Sequence, residues 1–580
     1  MRSDTLGVAM IRARSVLMGA AMLVVAACSA PVRHSPHDEH AITATPPASP
    51  GPSLAQWAQG AQRLDNLGTY SRRVTTTSSE AQAYFDQGLR LIYAFNHDEA
   101  ARAFTRAIEL DPACALCYWG AGEALGPNYN MPAMPERWTV LWQSLQSART
   151  NAAHASPVEQ ALIAALATRY PGPEPLSPDA MAPYNRAYAD AMRDVAHRFP
   201  ADDDVQVFFA EAAMTANPWK LWRNDGSAAP GTDEIVATLE TVLARTPAHP
   251  GANHYYIHAV EASPHPEKAI AAAERLPGLV PGGGHIVHMP AHIFQRVGRY
   301  ADASEANRAG ARVDLAYMEQ AKPPEWAYYA GMYLAHNYQF LAYAASMQGR
   351  SAEALQATRD MREHVPDAML TMGNGLDWYM AEHYFVLERF GRWREMLDEP
   401  APAASLQGLS AAYRYARACA FAATGDIARA REEKAMLDAI ATALPAGAPA
   451  GLNMAKDLLA VATEVAAARI ALAAGDRAAA IAALRSAVAK EDLLAYDEPA
   501  NWFVPARHLL GAQLLADGRA AEAEAVYHED LRLHPANGWA LHGLTQALKA
   551  QQRQQEADAA AQAFARAWKD ADVVLAASAY

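Results

Sequence analysis

Two neighbouring segments place five histidines and a glutamate at helical spacing. His254, His258 and Glu261 stand at i, i+4 and i+7, and His285, His288 and His292 at i, i+3 and i+7. On an α-helix each set falls along one face. Neutral imidazole and carboxylate are the usual ligands of zinc, copper or iron. Two such helices packed side by side would therefore close a transition-metal site from His254, His258, Glu261, His288 and His292, with Glu261 either ligating or orienting a histidine. The same residues also fit a hydrogen-bonded polar wall, a pH sensor, or satisfied core groups.

The elements that must position these side chains are helices. From residue 79 almost to the end, the sequence has no sustained period-two alternation. Stretches of helical period are punctuated by Gly, Pro and Asp. From Ala81, the residues Gly88, Ala100, Phe104, Ala107 and Pro112 stand at positions 8, 20, 24, 27 and 32. These offsets resemble the 34-residue tetratricopeptide repeat, in which small residues let two antiparallel helices approach and proline ends the second. Further copies carry Ile257, Ala269 and Pro281; Ala291, Gly298 and Ala303; and Ala342, Gly349, Ala354 and Pro366. Others carry Ala418, Gly425 and Ala430; Ala468, Gly475 and Ala480; and Gly511, Gly518, Ala523 and Pro535, with degenerate copies near Ala115, Asp203, Asp377 and Gly538. The expected fold is all-α: a right-handed tetratricopeptide-repeat solenoid of about ten helix pairs, each burying its apolar face on the next. Lys322, Pro323 and Pro324 break the pattern and divide the expected array into 79–320, with the His-rich groove, and 321–580.

The resemblance implies which residues face the groove, because first-helix positions 2, 5, 9 and 12 of such repeats point there. In the copy starting at Pro250 these include His254, His258 and Glu261. In the copy starting at Gly284 they are His285, His288, His292 and Gln295, and in the copy at Ala335 position 2 is His336. At an interaxial distance of about 9–10 Å, His254 pairs with His288 and His258 with His292. Asn128, Tyr129, Asn130 and Trp219 are further groove candidates, as is the run from Tyr496 through Glu498 to Trp502 and Arg507. Pro281 to Gly284 reads as an inter-repeat turn and not a phosphate loop, since no strand precedes it and no Lys-Ser/Thr follows. The motifs at 249–258, 284–294 and 537–541 resemble those of a His-rich group of bacterial tetratricopeptide-repeat lipoproteins. The resemblance supports the fold and implies no reaction.

The formal net charge of −14 over 580 residues argues against nucleic acid as a partner. Arg12 and Arg14, followed by the apolar stretch from Val16 to Ala27, read as an export signal, with Met1 or Met10 as the start. The small residues before Cys28 resemble a bacterial lipobox. That resemblance implies cleavage of residues 1–27, lipidation of Cys28, and an outer-membrane lipoprotein facing the periplasm; an ordinary signal peptide is the alternative. Residues 28–78, rich in Pro, Ala, Ser and Thr, read as a disordered tether. Cys114 and Cys117 form a C-x-x-C, read as a disulfide or as two half-buried thiols. Tyr118 excludes a c-type haem site, and no second C-x-x-C completes a four-thiolate zinc site.

The sequence thus points to an envelope-anchored protein that binds a peptide, protein or small ligand in a concave groove containing a transition-metal site. A periplasmic metalloenzyme using Glu261 as general base is the alternative, and a metal-free assembly scaffold the second. Neither H-E-x-x-H nor G-x-S-x-G occurs.

Overall fold

The computed structural model describes residues 51–322, 329–365, 367–371 and 375–580. The export signal, Cys28 and the first part of the expected tether lie outside the described residues.

Helix pairs follow one another along the chain, from Ser79–Tyr93 with His97–Leu110 to Gly538–Ala550 with Gln554–Ala567. The only strands among the described residues are a two-residue pair, Pro449–Ala450 with Asn453–Met454. No helix among the described residues is long and apolar enough to cross a membrane. The architecture is a tetratricopeptide-like α-solenoid. Its packing follows from the repeat positions. The Phe104 ring is wedged between Gly88 and Gly120, where an added Cβ would come within 2.8 Å and 2.5 Å of it. Tyr527 sits in the same way between Gly511 and Gly543. At these two places one large ring fills the space that two glycines leave, so the neighbouring helix pairs stack closely. Gly298 and Gly349 turn the chain between paired helices at φ +76° and +73°, a region other residues rarely adopt.

The tether reading is corrected for residues 51–78. This segment is a strap packed on the solenoid, with Trp57, Leu67 and Val74 buried. Arg72 reaches Asp202 at 2.7 Å and Asp204 at 2.9 Å, and Thr75 N–H donates to Glu159 at 2.7 Å. The Asn66 carbonyl accepts from Gly282 N–H at 2.6 Å, which ties the strap to the turn before His285. Average composition hid these anchors, because a few well-placed apolar and charged side chains suffice to order a short segment.

Three expected helices carry the histidines, and the structure makes four of them. Pro250–Val260 starts at His249, whose Nδ1 accepts from Ala252 N–H at 3.2 Å, and every residue of this helix is buried. The second expected helix is two, Gly284–His288 and Pro290–Arg296. Pro290 has no N–H to continue the ladder, so the chain breaks at Met289 and His292 is re-aimed relative to His285 and His288. Gly284 lies against Asp314 on the following helix, Tyr300–Ala321, leaving no room for a Cβ. The third is Ala335–Met347, carrying His336 at its start.

Candidate metal centre

The helices bring six histidines together, and five of them are at most 1% exposed; His336 is half-buried. The nitrogens of His254, His258 and His285 lie within 4.8 Å of one another, as do those of His288, His292 and His336. A third group at the same spacing joins His292 to Glu261 and Glu498. The expected pairing of His254 with His288 is corrected: His254 Nε2 meets His285 Nε2 at 3.2 Å, and His288 Nε2 meets His292 Nε2 at 2.9 Å. The rings of His258 and His292 are neighbours, 5.6 Å apart.

Polar partners on the far side of five of the six rings draw the ring proton outward. His254 Nδ1–H donates to the Tyr93 carbonyl at 2.6 Å. Asn307 donates its amide to the Ala303 carbonyl, so its Oδ1 accepts from His288 Nδ1–H at 2.6 Å. Gln339 donates to Glu382, so its Oε1 accepts from His336 Nδ1–H at 3.0 Å. His258 Nδ1 faces Glu261 Oε1 at 3.0 Å. His292 Nδ1 lies 2.8 Å from Glu261 Oε2 and 2.5 Å from Glu498 Oε2. In the neutral state, each of these five rings carries its proton on Nδ1 and turns a bare Nε2 lone pair inward. His258 Nε2 and His285 Nδ1 are buried without a hydrogen-bond partner, and His292 Nδ1 meets its two carboxylates as an ion pair without hydrogen-bond geometry.

Electrostatics keep the rings uncharged. Burial pushes His254, His285 and His288 well below the usual imidazole range and His336 down to about 3. Burial also lowers His258, against the pull of Glu261. His292 is the exception. Burial opposes its charge, but Glu261 and Glu498 overcome that and raise it to about 9. A cation is thus favoured beside the two carboxylates and disfavoured as a proton elsewhere in the cluster.

Aromatic side chains wall the site. Phe95 packs on His254, His258 and His285, with ring centroids 4.5, 5.6 and 5.5 Å away. It reaches them from a left-handed backbone position, φ 53°, between the first two repeat helices. Phe340 packs likewise on His288, His292 and His336, at 4.8, 4.5 and 4.7 Å. Tyr333 covers His285, and Tyr129 and Trp219 flank His258.

The remaining predicted groove residues divide. Asn128 Oδ1 accepts from the backbone of Asn130 and Met131 and shapes a turn. Asn130, Trp219, His336 and Glu498 line a cavity of about 260 Å³ beside the centre. Gln295 lines a second cavity, of about 550 Å³, on which Glu498 also borders. Sequence reasoning placed Glu498 only as a groove candidate and missed Phe95, Phe340 and Asn307. Position 5 of the first repeat helix gives no warning of an acceptor on a second helix. Cys114 and Cys117 are joined as a disulfide at the start of the Ala115–Leu125 helix, and Cys419 is a buried free thiol.

No family model matches the chain, and no curated protein matches it. Among solved structures, the chain is similar to an IFIT1 monomeric mutant with Gppp-AAAA at 12% identity and TM-score 0.33, covering 85% of this chain and 96% of that one. It is similar to the human IFIT1 dimer with m7Gppp-AAAA at 12% identity and TM-score 0.30, covering 86% and 91%. It is similar to yeast Tom70 at 10% identity and TM-score 0.26, covering 83% and 90%. Overlaps this low carry no inference about function, and the fold assignment rests on the helix pairs themselves.

Proposed function

We propose that this protein is a transition-metal-binding solenoid that presents its metal to a small ligand or peptide end entering the adjoining cavity. The observation that carries this is the convergence of buried imidazole nitrogens, four of them with the proton drawn to the outer Nδ1. Nε2 lone pairs converge in a buried space, with nitrogen–nitrogen contacts of 2.9 and 3.2 Å. Each such pair is held either by a shared proton, as His285 or the charged His292 can supply, or by a metal ion that takes the proton's place between the two nitrogens. Two nitrogens bound to one tetrahedral zinc at 2.0–2.1 Å stand roughly 3.4 Å apart; the His254–His285 pair at 3.2 Å is near that spacing, and the His288–His292 pair at 2.9 Å needs a small opening to reach it. The imidazole donors suit zinc or copper, and iron if a carboxylate joins them. The sequence around Arg12 to Cys28 supports export and a lipid anchor in the cell envelope, with a protein or peptide partner there and no role for nucleic acid.

A second reading, a metalloenzyme, is favoured by one observation. The cavity of about 260 Å³ is lined by both His336 and Glu498, so a metal held here has a side open to substrate, and a carboxylate stands by to move a proton.

The test is metal content of the mature protein, expressed in the periplasm without a histidine tag, against a His254→Ala/His288→Ala variant of confirmed helicity. Tightly held metal that disappears in the variant is expected. Absence of metal from both, after supplementation with zinc, copper and iron in turn, overturns the proposal and returns the histidines to a structural role.

A further inference from the structure

We infer that the centre is two metal sites joined through one carboxylate: a closed site of His254, His258 and His285, and a cavity-facing site of His288, His292 and His336. This rests on the metal-binding reading above and goes beyond it in number, ligand sets and accessibility.

Three observations divide the six histidines in the same way. Each triad brings its nitrogens within 4.8 Å. Within each triad one pair of Nε2 atoms is in direct contact, His254 with His285 at 3.2 Å and His288 with His292 at 2.9 Å. Each triad also has its own phenylalanine packed on all three rings, Phe95 on the first and Phe340 on the second. Three imidazoles with a fourth position left over form a ligand set for zinc or copper.

The acceptors behind the rings complete the assignment. A metal-bound histidine almost always donates its other N–H to a carboxylate, carbonyl or amide oxygen. Here the Tyr93 carbonyl does this for His254, Asn307 for His288 and Gln339 for His336. Glu261 faces both triads at once, with Oε1 accepting from His258 at 3.0 Å and Oε2 paired by charge with His292 at 2.8 Å. Glu498 backs the same face of His292. Glu261 and Glu498 are therefore positioning residues, and the grouping of these two carboxylates around His292 reads as support for its Nδ1–H. The sites differ in access. The three histidines of the first are at most 1% exposed, whereas His336 of the second lines the cavity. The second site is the one that can exchange metal or meet a ligand.

The experiment is titration of the chelator-stripped full chain with zinc, read by calorimetry and by metal analysis after desalting. Two equivalents are expected. His285→Ala loses the first and keeps the second, and His336→Ala does the reverse. Glu261→Gln weakens both by about 10–100-fold, and Glu498→Gln keeps both equivalents. In the loaded wild type a chromogenic chelator withdraws one equivalent quickly and one slowly, and His336→Ala lacks the fast phase. Should His285→Ala or His336→Ala fail to fold, His285→Phe or His336→Phe replaces it. Copper(II) loading gives the independent readout: dipolar coupling between two ions in the wild type, and none in either single-site variant. A single equivalent lost in both His285→Ala and His336→Ala overturns the two-site assignment while leaving the metal-binding reading intact. Loss of an equivalent in Glu498→Gln overturns the second ligand set. No binding at all overturns the metal-binding reading itself.

Discussion

Two regions of this solenoid bury histidine and differ in chemistry. In the C-terminal repeats, His508 is 1% exposed and Asp530 fully buried. Arg389 donates to His508 Nδ1 at 3.0 Å, and His508 Nε2–H donates to Asp530 at 2.8 Å. Asn537 donates to the same carboxylate at 3.0 Å. Both imidazole nitrogens are used, one as donor and one as acceptor. In the centre at 254–292, every outward nitrogen but that of His285 meets an acceptor, and the inward nitrogens face one another. Burial therefore does not distinguish a structural histidine from a ligand. What distinguishes the two regions is whether the second nitrogen meets a carboxylate or guanidinium, or only another imidazole.

This comparison predicts its own largest effect in the satisfied cluster. Asp530→Ala leaves Arg389 and His508 buried without their anion and costs about 3–5 kcal/mol, measured by urea unfolding, while metal bound per folded molecule is unchanged. Loss of metal in this variant would show the two regions to be coupled and break the comparison. Next in size is the metal itself. Zinc at one hundred times its dissociation constant stabilises the folded protein by about 2.7 kcal/mol per site, seen as a concentration-dependent rise in Tm. The His254→Ala/His288→Ala variant shows no such rise.

Acid separates the clusters further. Burial holds His508 down at about 4, with Arg389 adding to burial and Asp530 opposing it. The unfolded chain takes up this proton near pH 6.5, so the stabilising share of His508 is complete above that pH. It is lost as pH falls towards 4, at up to about 1.4 kcal/mol per pH unit. Read as the stability difference between wild type and His508→Asn, it shrinks between pH 6.5 and 4; a difference independent of pH would contradict the neutral, doubly bonded imidazole. The smallest effect belongs to the metal-free centre. His285→Phe removes a ring whose Nδ1 has no partner, and changes metal-free stability by less than about 1 kcal/mol. A destabilisation as large as that of Asp530→Ala would make His285 a structural residue.

Much of this was legible in the sequence. Gly88, Phe104 and Pro112, and their counterparts near Gly511, set a repeat register without reference to the histidines. That register placed His254, His258, His288 and His292 on first helices of adjacent pairs, and the packing of Phe104 and Tyr527 against paired glycines shows why it works. Other features could not be read. Pro290 breaks a helix that spacing alone made continuous. The strap at 51–78 is ordered by partners far along the chain, such as Asp202 and Glu159, that composition does not count. Phe340 and Asn307 are ordinary repeat residues until the helices stack.

The sequence by itself determined the helix pairs and the supply of imidazoles, because small, large and punctuating residues at fixed offsets leave one way to stack. The tertiary structure alone decided which nitrogen of each imidazole faces inward. That choice is made by a carbonyl at Tyr93, amides at Asn307 and Gln339, and carboxylates at Glu261 and Glu498. A ring's tautomer follows the acceptor behind it, and all of these but Glu261 reach the rings only when distant parts of the chain pack together.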